Sequence, residues 1–156
     1  MDGDRFRFLF RTDAGVIDRE VWLKYASALA GVVVALTLGW LPLRGHIVHD
    51  LAQSKLFEPL IFAAYAYAMF LAFALMLIGV SYMNLTAKRF RARAWPSPLG
   101  LAGLCPLFAF LSGALRLAPI LSPAGLDIVP AWALWGMEGA FAAATLWTLW
   151  ELGLRR

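Results

Sequence analysis

The residue best placed to do chemistry is Glu138, a lone carboxylate inside the otherwise uncharged stretch from Ala131 to Trp150. An acid at membrane depth costs roughly 2.5 to 3.5 kcal/mol on insertion scales, or requires a proton or a partner. The nearest partner by depth is Arg116, at the end of the preceding apolar run, with Ser112 one turn deeper as a polar alternative. Two readings of this intramembrane polar site follow: a neutral or paired acid that fixes helix contacts, or a proton- or cation-binding group serving transport. A second set is His46 and His49 beside Asp50. Three-residue spacing on a helix puts both rings on one face, where Asp50 or Glu58 would complete a ligand group. Transition-metal sites usually need three or four ligands and a supporting shell, so we expect a solvated polar connection and no metal. The third set is Lys88, Arg89, Arg91 and Arg93, four cations within six residues between two long uncharged runs. Anionic lipid attracts each cation beside a membrane by about 1 kcal/mol, so these four are expected to hold lipid headgroups. No nucleophile with its base and no Gly-rich phosphate loop stands out. The chain is therefore expected not to be an enzyme and to need no cofactor.

These residues are positioned by elements that composition makes hard to mistake. In 156 residues, 62% are hydrophobic and only 15% charged, too little polar surface to cover a water-soluble globule. Cys105 is the one cysteine, so neither an internal disulfide nor a cysteine metal cluster is available. A hydrocarbon core of about 30 Å needs roughly 20 apolar residues per helix. The pattern predicts an all-α integral membrane bundle of four transmembrane helices, in a single domain with an N-terminal interfacial segment.

Residues 1–21 interleave Phe6, Phe8 and Phe10 with Arg5, Arg7 and Arg11, the composition of a segment lying in the interface. Asp18 reads as the N-cap of the first helix and Glu20 as a first-turn acid favoured by the dipole. Span one covers 22–43. Trp22 and Trp40 mark its ends, about 27 Å apart along a helix. An outer loop, 44–58, leads to span two at 59–87, where Ala64, Ala68 and Ala72 form a smooth ridge for a neighbouring helix. A basic turn, 88–94, precedes span three at 95–115, with Pro106 near its middle. The outer loop 116–130 is broken by Pro119, Pro123, Gly125 and Pro130. Span four is 131–150, with a small-residue seam of Gly136, Ala140 and Ala144, and 151–156 is the tail.

Orientation follows from the 14 lysines and arginines. Five lie before or at the start of span one, four in the central turn and two in the tail, eleven on one side; the outer loops hold two and one. That asymmetry predicts both termini in the cytoplasm. The cations cluster at the ends of apolar runs and form no continuous basic face, so nucleic acid is not expected as a partner.

Two stretches carry a family resemblance. Phe10-Arg11 through Ile17-Asp18-Arg19 to Trp22 resembles the N-terminal box of the bacterial inner-membrane family catalogued as domain of unknown function 805. Ala87-Lys88-Arg89 through Arg91, Arg93 and Ser97-Pro98 resembles that family's cytoplasmic turn. Where the family commonly continues into a His-Asp pair and a glycine, this chain has Phe90-Arg91-Ala92-Arg93-Ala94, so no acidic role carries over. The resemblance implies a small multi-pass protein of the bacterial inner membrane and supplies no reaction. The function expected is an accessory, scaffold or assembly component that packs against other membrane subunits or itself and holds anionic lipid of the cytoplasmic leaflet. The alternative is a small proton- or cation-linked transporter or channel using Glu138.

Overall fold

The computed structural model describes residues 3–47, 58–121 and 130–155. Every regular element among them is helical. A short helix α1 (Gly3–Phe6) passes into a π-helical turn at Arg7–Arg11; α2 spans Arg19–Trp40 and a 3₁₀ turn follows at Arg44–His46. Then come α3 (Pro59–Ala92), α4 (Pro98–Leu121) and α5 (Ala131–Thr148), which runs on into a second π-helical turn at Leu149–Leu154. Asp18 stands directly before α2, and its carbonyl accepts the first helical bond from the Trp22 N–H at 3.0 Å.

Three helices, Arg19–Trp40, Pro59–Ala92 and Pro98–Arg116, are long and apolar enough to cross a membrane. Only 6% of the residues in the most apolar window of each are fully buried, so the chain itself leaves much apolar helix surface uncovered. Helix α5 falls outside this set because Trp132, Trp135, Gly136, Glu138 and Gly139 dilute its apolar content.

The element boundaries correct the sequence reading in several places. Helix α2 stops at Trp40, ahead of Pro42, with Leu41 to Leu43 in a turn. Helix α3 continues through Ala92, so Lys88, Arg89 and Arg91 are helical and the connection to α4 is confined to 93–97. Lysine, arginine and alanine are strong helix formers, and charge alone does not end a helix. The reversal is made where Ala94 and Ser97 take left-handed backbone angles, φ 55° and 53°. Helix α4 starts at Pro98, a residue suited to the first helical position, and Pro106 lies within it without ending it. The expected tail is likewise helical as far as Leu154.

The chain folds as two compact units, Met1–Ala26 with Val80–Arg156, and Ser27–Gly79. In the first, Leu9, Trp22, Leu85, Phe90, Ala102 and Leu152 form a sealed apolar core. The Phe90 ring stacks on Trp147 at 5.5 Å, and Trp95 meets Trp147 edge-on at 5.9 Å. Such pairs add about 0.5 to 1.5 kcal/mol each beyond the area they bury. Helices α4 and α5 pack side by side, joined by Cys105 Sγ and Thr145 Oγ1 at 3.3 Å; of the expected seam on α5, Ala144 is buried, Ala140 half-buried and Gly136 exposed. In the second unit, Trp40 stacks on Tyr67 at 6.2 Å. The Tyr67 hydroxyl donates to the Leu36 carbonyl at 2.8 Å and occupies the space a Cβ at Gly39 would need. Ala64 is fully buried while Ala72, two turns on, is exposed.

Candidate functional site: a polar junction of the first unit

The residues that could do chemistry gather in two places. The larger is a junction where the amino-terminal segment, the end of α3 and the carboxy-terminal π turn meet. Lys88 comes off a helical face shared with Asn84, and its side chain is fully buried. Its ammonium donates to the Phe8 carbonyl and, at 3.1 Å, to the Leu9 carbonyl. It also lies 4.5 Å from the centre of the Phe8 ring, a cation–π contact. Asn84 Nδ2 donates to the Phe10 carbonyl at 2.8 Å. Together these two side chains satisfy carbonyls that the π turn Arg7–Arg11 leaves open. Arg91 donates to the Asp13 and Gly15 carbonyls and pairs with the Asp13 carboxylate at 3.6 Å. Gly15 at φ 95° makes the bend that presents those carbonyls.

Lys88→Met is therefore expected to lower stability by about 2 kcal/mol, since it strips a donor from two carbonyls while keeping the volume. Hydrogen exchange should show residues 3–17 losing protection before α4 and α5 do.

Across the junction, Glu151 has a side chain only 4% exposed and is enclosed by cations. Arg93 Nε stands 3.4 Å from Oε1, Arg155 Nη1 is 2.9 Å from Oε2, and Trp95 Nε1 donates to Oε1 at 3.1 Å. Arg93 also donates to the Arg155 carbonyl at 2.9 Å. Burial pushes the Glu151 carboxyl upward, but the Arg155 and Trp95 hydrogen bonds and the charges of Arg155 and Arg93 outweigh it and hold the group below its ordinary value. The cluster is a closed clamp in which every oxygen has a donor.

Of the four cations expected to hold lipid headgroups, Lys88, Arg91 and Arg93 thus spend their charge on the protein itself. That corrects the reading for Lys88 outright, since a buried ammonium presents nothing to a headgroup. Arg89 faces a groove of about 660 Å³, lined by Asp18, Arg19, Glu20, Leu23 and Arg89.

The second place is the pair on α4 and α5. The Arg116 guanidinium donates to Glu138 Oε1, so the depth match along the two helices brings these residues together; Ser112 is half-buried one turn away. The side chains are 66% and 32% exposed, which limits the pair. A double-mutant cycle on Arg116→Gln and Glu138→Gln is expected to give a coupling of under about 1 kcal/mol in detergent.

His46 is exposed in the 3₁₀ turn, and His49 and Asp50 lie outside the described residues. Among the described residues no group of His, Cys, Asp or Glu gathers that could hold a metal ion. Sequence reasoning missed Glu151, although its four-residue spacing to Arg155 is a helical pairing signal. It also missed Trp22 as a core residue: the indole is fully buried and donates to Thr86 Oγ1 at 3.3 Å.

These features define an all-α chain with three helices suited to crossing a membrane and a polar clamp tying its two ends to the central turn. No protein-family model, curated protein or solved structure matches it.

Proposed function

We propose that the chain is a multi-pass protein of the bacterial inner membrane, akin to the family it resembles, and that it serves as an accessory or scaffold subunit rather than as an enzyme. Four crossings place the head, the 93–97 turn and the tail in the cytoplasm. Supporting this arrangement, Lys88 and Arg91 hold the amino-terminal segment while Arg93 holds the carboxy-terminal turn, so all three meet in one unit. Helices α4 and α5 then leave and return as a pair, which gives α5 a crossing despite its lower hydropathy.

The observation that carries the scaffold reading is the division of labour along the chain. Many polar and charged groups pair within the junction, whereas only 6% of the residues in the most apolar window of each of α2, α3 and α4 are fully buried by the chain itself. Phe62, Met69, Trp132 and Trp135 are all more than 70% exposed. The Arg116–Glu138 pair compensates the one deep acid within the protein, which supports a structural role for Glu138 over proton or cation transport.

Cross-linking mass spectrometry of the membrane-embedded chain tests the reading. Reproducible cross-links from α3 to one membrane subunit, or to a second copy, at fixed stoichiometry are expected. A chain that remains a lone monomer, or liposome flux that disappears with Glu138→Gln, overturns it.

A further inference from the structure

The groove at the start of α2 has a composition that the rest of the junction does not. Its walls carry two cations, Arg19 and Arg89, two anions, Asp18 and Glu20, and one apolar side chain, Leu23. Arg89 lies within electrostatic reach of Asp18, Arg19 and Arg93. Yet none of the groove's four charged residues enters an ion pair among the described residues, in contrast to Asp13, Arg91, Arg93 and Glu151 nearby. Arg19 and Arg89 each keep a buried Nε–H with no acceptor among the described residues. A buried donor left unmade is costly, and both of these belong to arginines that line the same groove.

We propose that this groove binds the zwitterionic head of a phospholipid, the phosphodiester on Arg19 and Arg89 and a primary ammonium on Asp18 and Glu20. Guanidinium groups match phosphate oxygens in a planar, bidentate way. The N-terminus of α2 adds a partial positive charge beside the phosphate. Two carboxylates beside two guanidinium groups make the groove neutral, so a purely anionic head leaves the carboxylates repelling it, whereas an ethanolamine head satisfies both signs. Leu23, one turn into α2, supplies an apolar wall where the glycerol backbone would begin. The site rests on the membrane reading above, because Arg19 and Arg89 stand at headgroup depth only if α2 and α3 cross. It revises which lipid the basic stretch recognises, from an anionic head to a zwitterionic one. Free phosphoethanolamine shares the same chemistry, and the test separates the two sources.

Native mass spectrometry of the full chain in mild detergent, titrated with dioleoyl phosphatidylethanolamine or dioleoyl phosphatidylglycerol, decides the matter. The ethanolamine lipid is expected to be retained at least about ten-fold better than the glycerol lipid. Arg19→Gln with Arg89→Gln should abolish that retention, and Asp18→Asn with Glu20→Gln should reverse the preference. Arg5→Gln, on the exposed helix α1, should change nothing. Asn is as good an N-cap as Asp, so the carboxylate variant keeps the fold and carries the test if the arginine variant fails to assemble. Equal retention of the two lipids by the unaltered chain, retention that survives the arginine variant, or an unreversed preference overturns the site. Displacement by millimolar phosphoethanolamine or inorganic phosphate overturns the lipid as its source. Extraction of the chain from membranes by alkaline carbonate overturns the membrane reading instead, and retention in the membrane without lipid selectivity overturns the groove alone.

Discussion

Replacing Glu151 by alanine lowers the unfolding free energy by about 3 kcal/mol, the scale expected when one partner of a buried charge cluster is removed. The cost falls on Arg93, whose side chain is 18% exposed and would be left with its charge half-buried, whereas Arg155 is 58% exposed and can turn to water. Arg155→Ala should therefore cost less than about 1 kcal/mol. Titration in mixed detergent micelles, followed by Trp fluorescence, measures both, since Trp95 Nε1 donates to the same carboxylate. The pH dependence has a fixed sign. Because Glu151 is held below its ordinary value of 4.5, the unfolded chain takes up this proton more readily than the folded one. The stabilisation is complete above the unfolded value and is lost as pH falls through the folded one. Stability should thus decline below about pH 4.5, and Glu151→Gln should remove that part of the decline. An unchanged acid limb in the Gln variant would show that the clamp is not a charged one.

How far the sequence discloses this architecture depends on which groups recognise which. The long apolar runs announce α2, α3 and α4, because a helix long and apolar enough to cross a membrane is written in its own composition. The start of α2 at Asp18 and the pairing of Arg116 with Glu138 were legible for a related reason: cap position and depth along neighbouring helices are local quantities. The basic stretch was misread as a turn because clustered cations are usually solvated. Here their acceptors are main-chain carbonyls of Phe8, Leu9, Asp13 and Gly15, and a carbonyl has no sequence signature. Glu151 resembled a tail charge for the same reason, since nothing in the linear order says that Arg93 and Trp95 return to it. The groove at Arg19 and Arg89 joins residues 70 positions apart by the chain numbering and becomes visible only once the start of α2 and the end of α3 are brought together within the first unit.

Trp22→Ala should be the most damaging apolar substitution, with a loss of about 3 to 5 kcal/mol, as for a large aromatic removed from a core. Trp22 is fully buried and its indole N–H donates to Thr86 Oγ1 at 3.3 Å. One residue therefore fastens the start of α2 to α3. It does so beside Gly153, where an added Cβ would lie 3.4 Å from the Trp22 ring and 3.3 Å from Leu23. Trp22→Phe separates the two contributions. It keeps much of the volume and drops the hydrogen bond, so about 1 to 2 kcal/mol is expected, with Thr86→Val giving about 1 kcal/mol from the other side. If the phenylalanine variant loses as much as the alanine variant, the hydrogen bond and not the filled volume holds α2 to α3, and the apolar core drawn around Trp22 would have to be secondary to the Thr86 contact. If Trp22→Ala loses less than about 1 kcal/mol, well short of a core aromatic's cost, then the interface of α2 with α3 contributes little. The junction would then rest on Lys88, Arg91 and Glu151 alone.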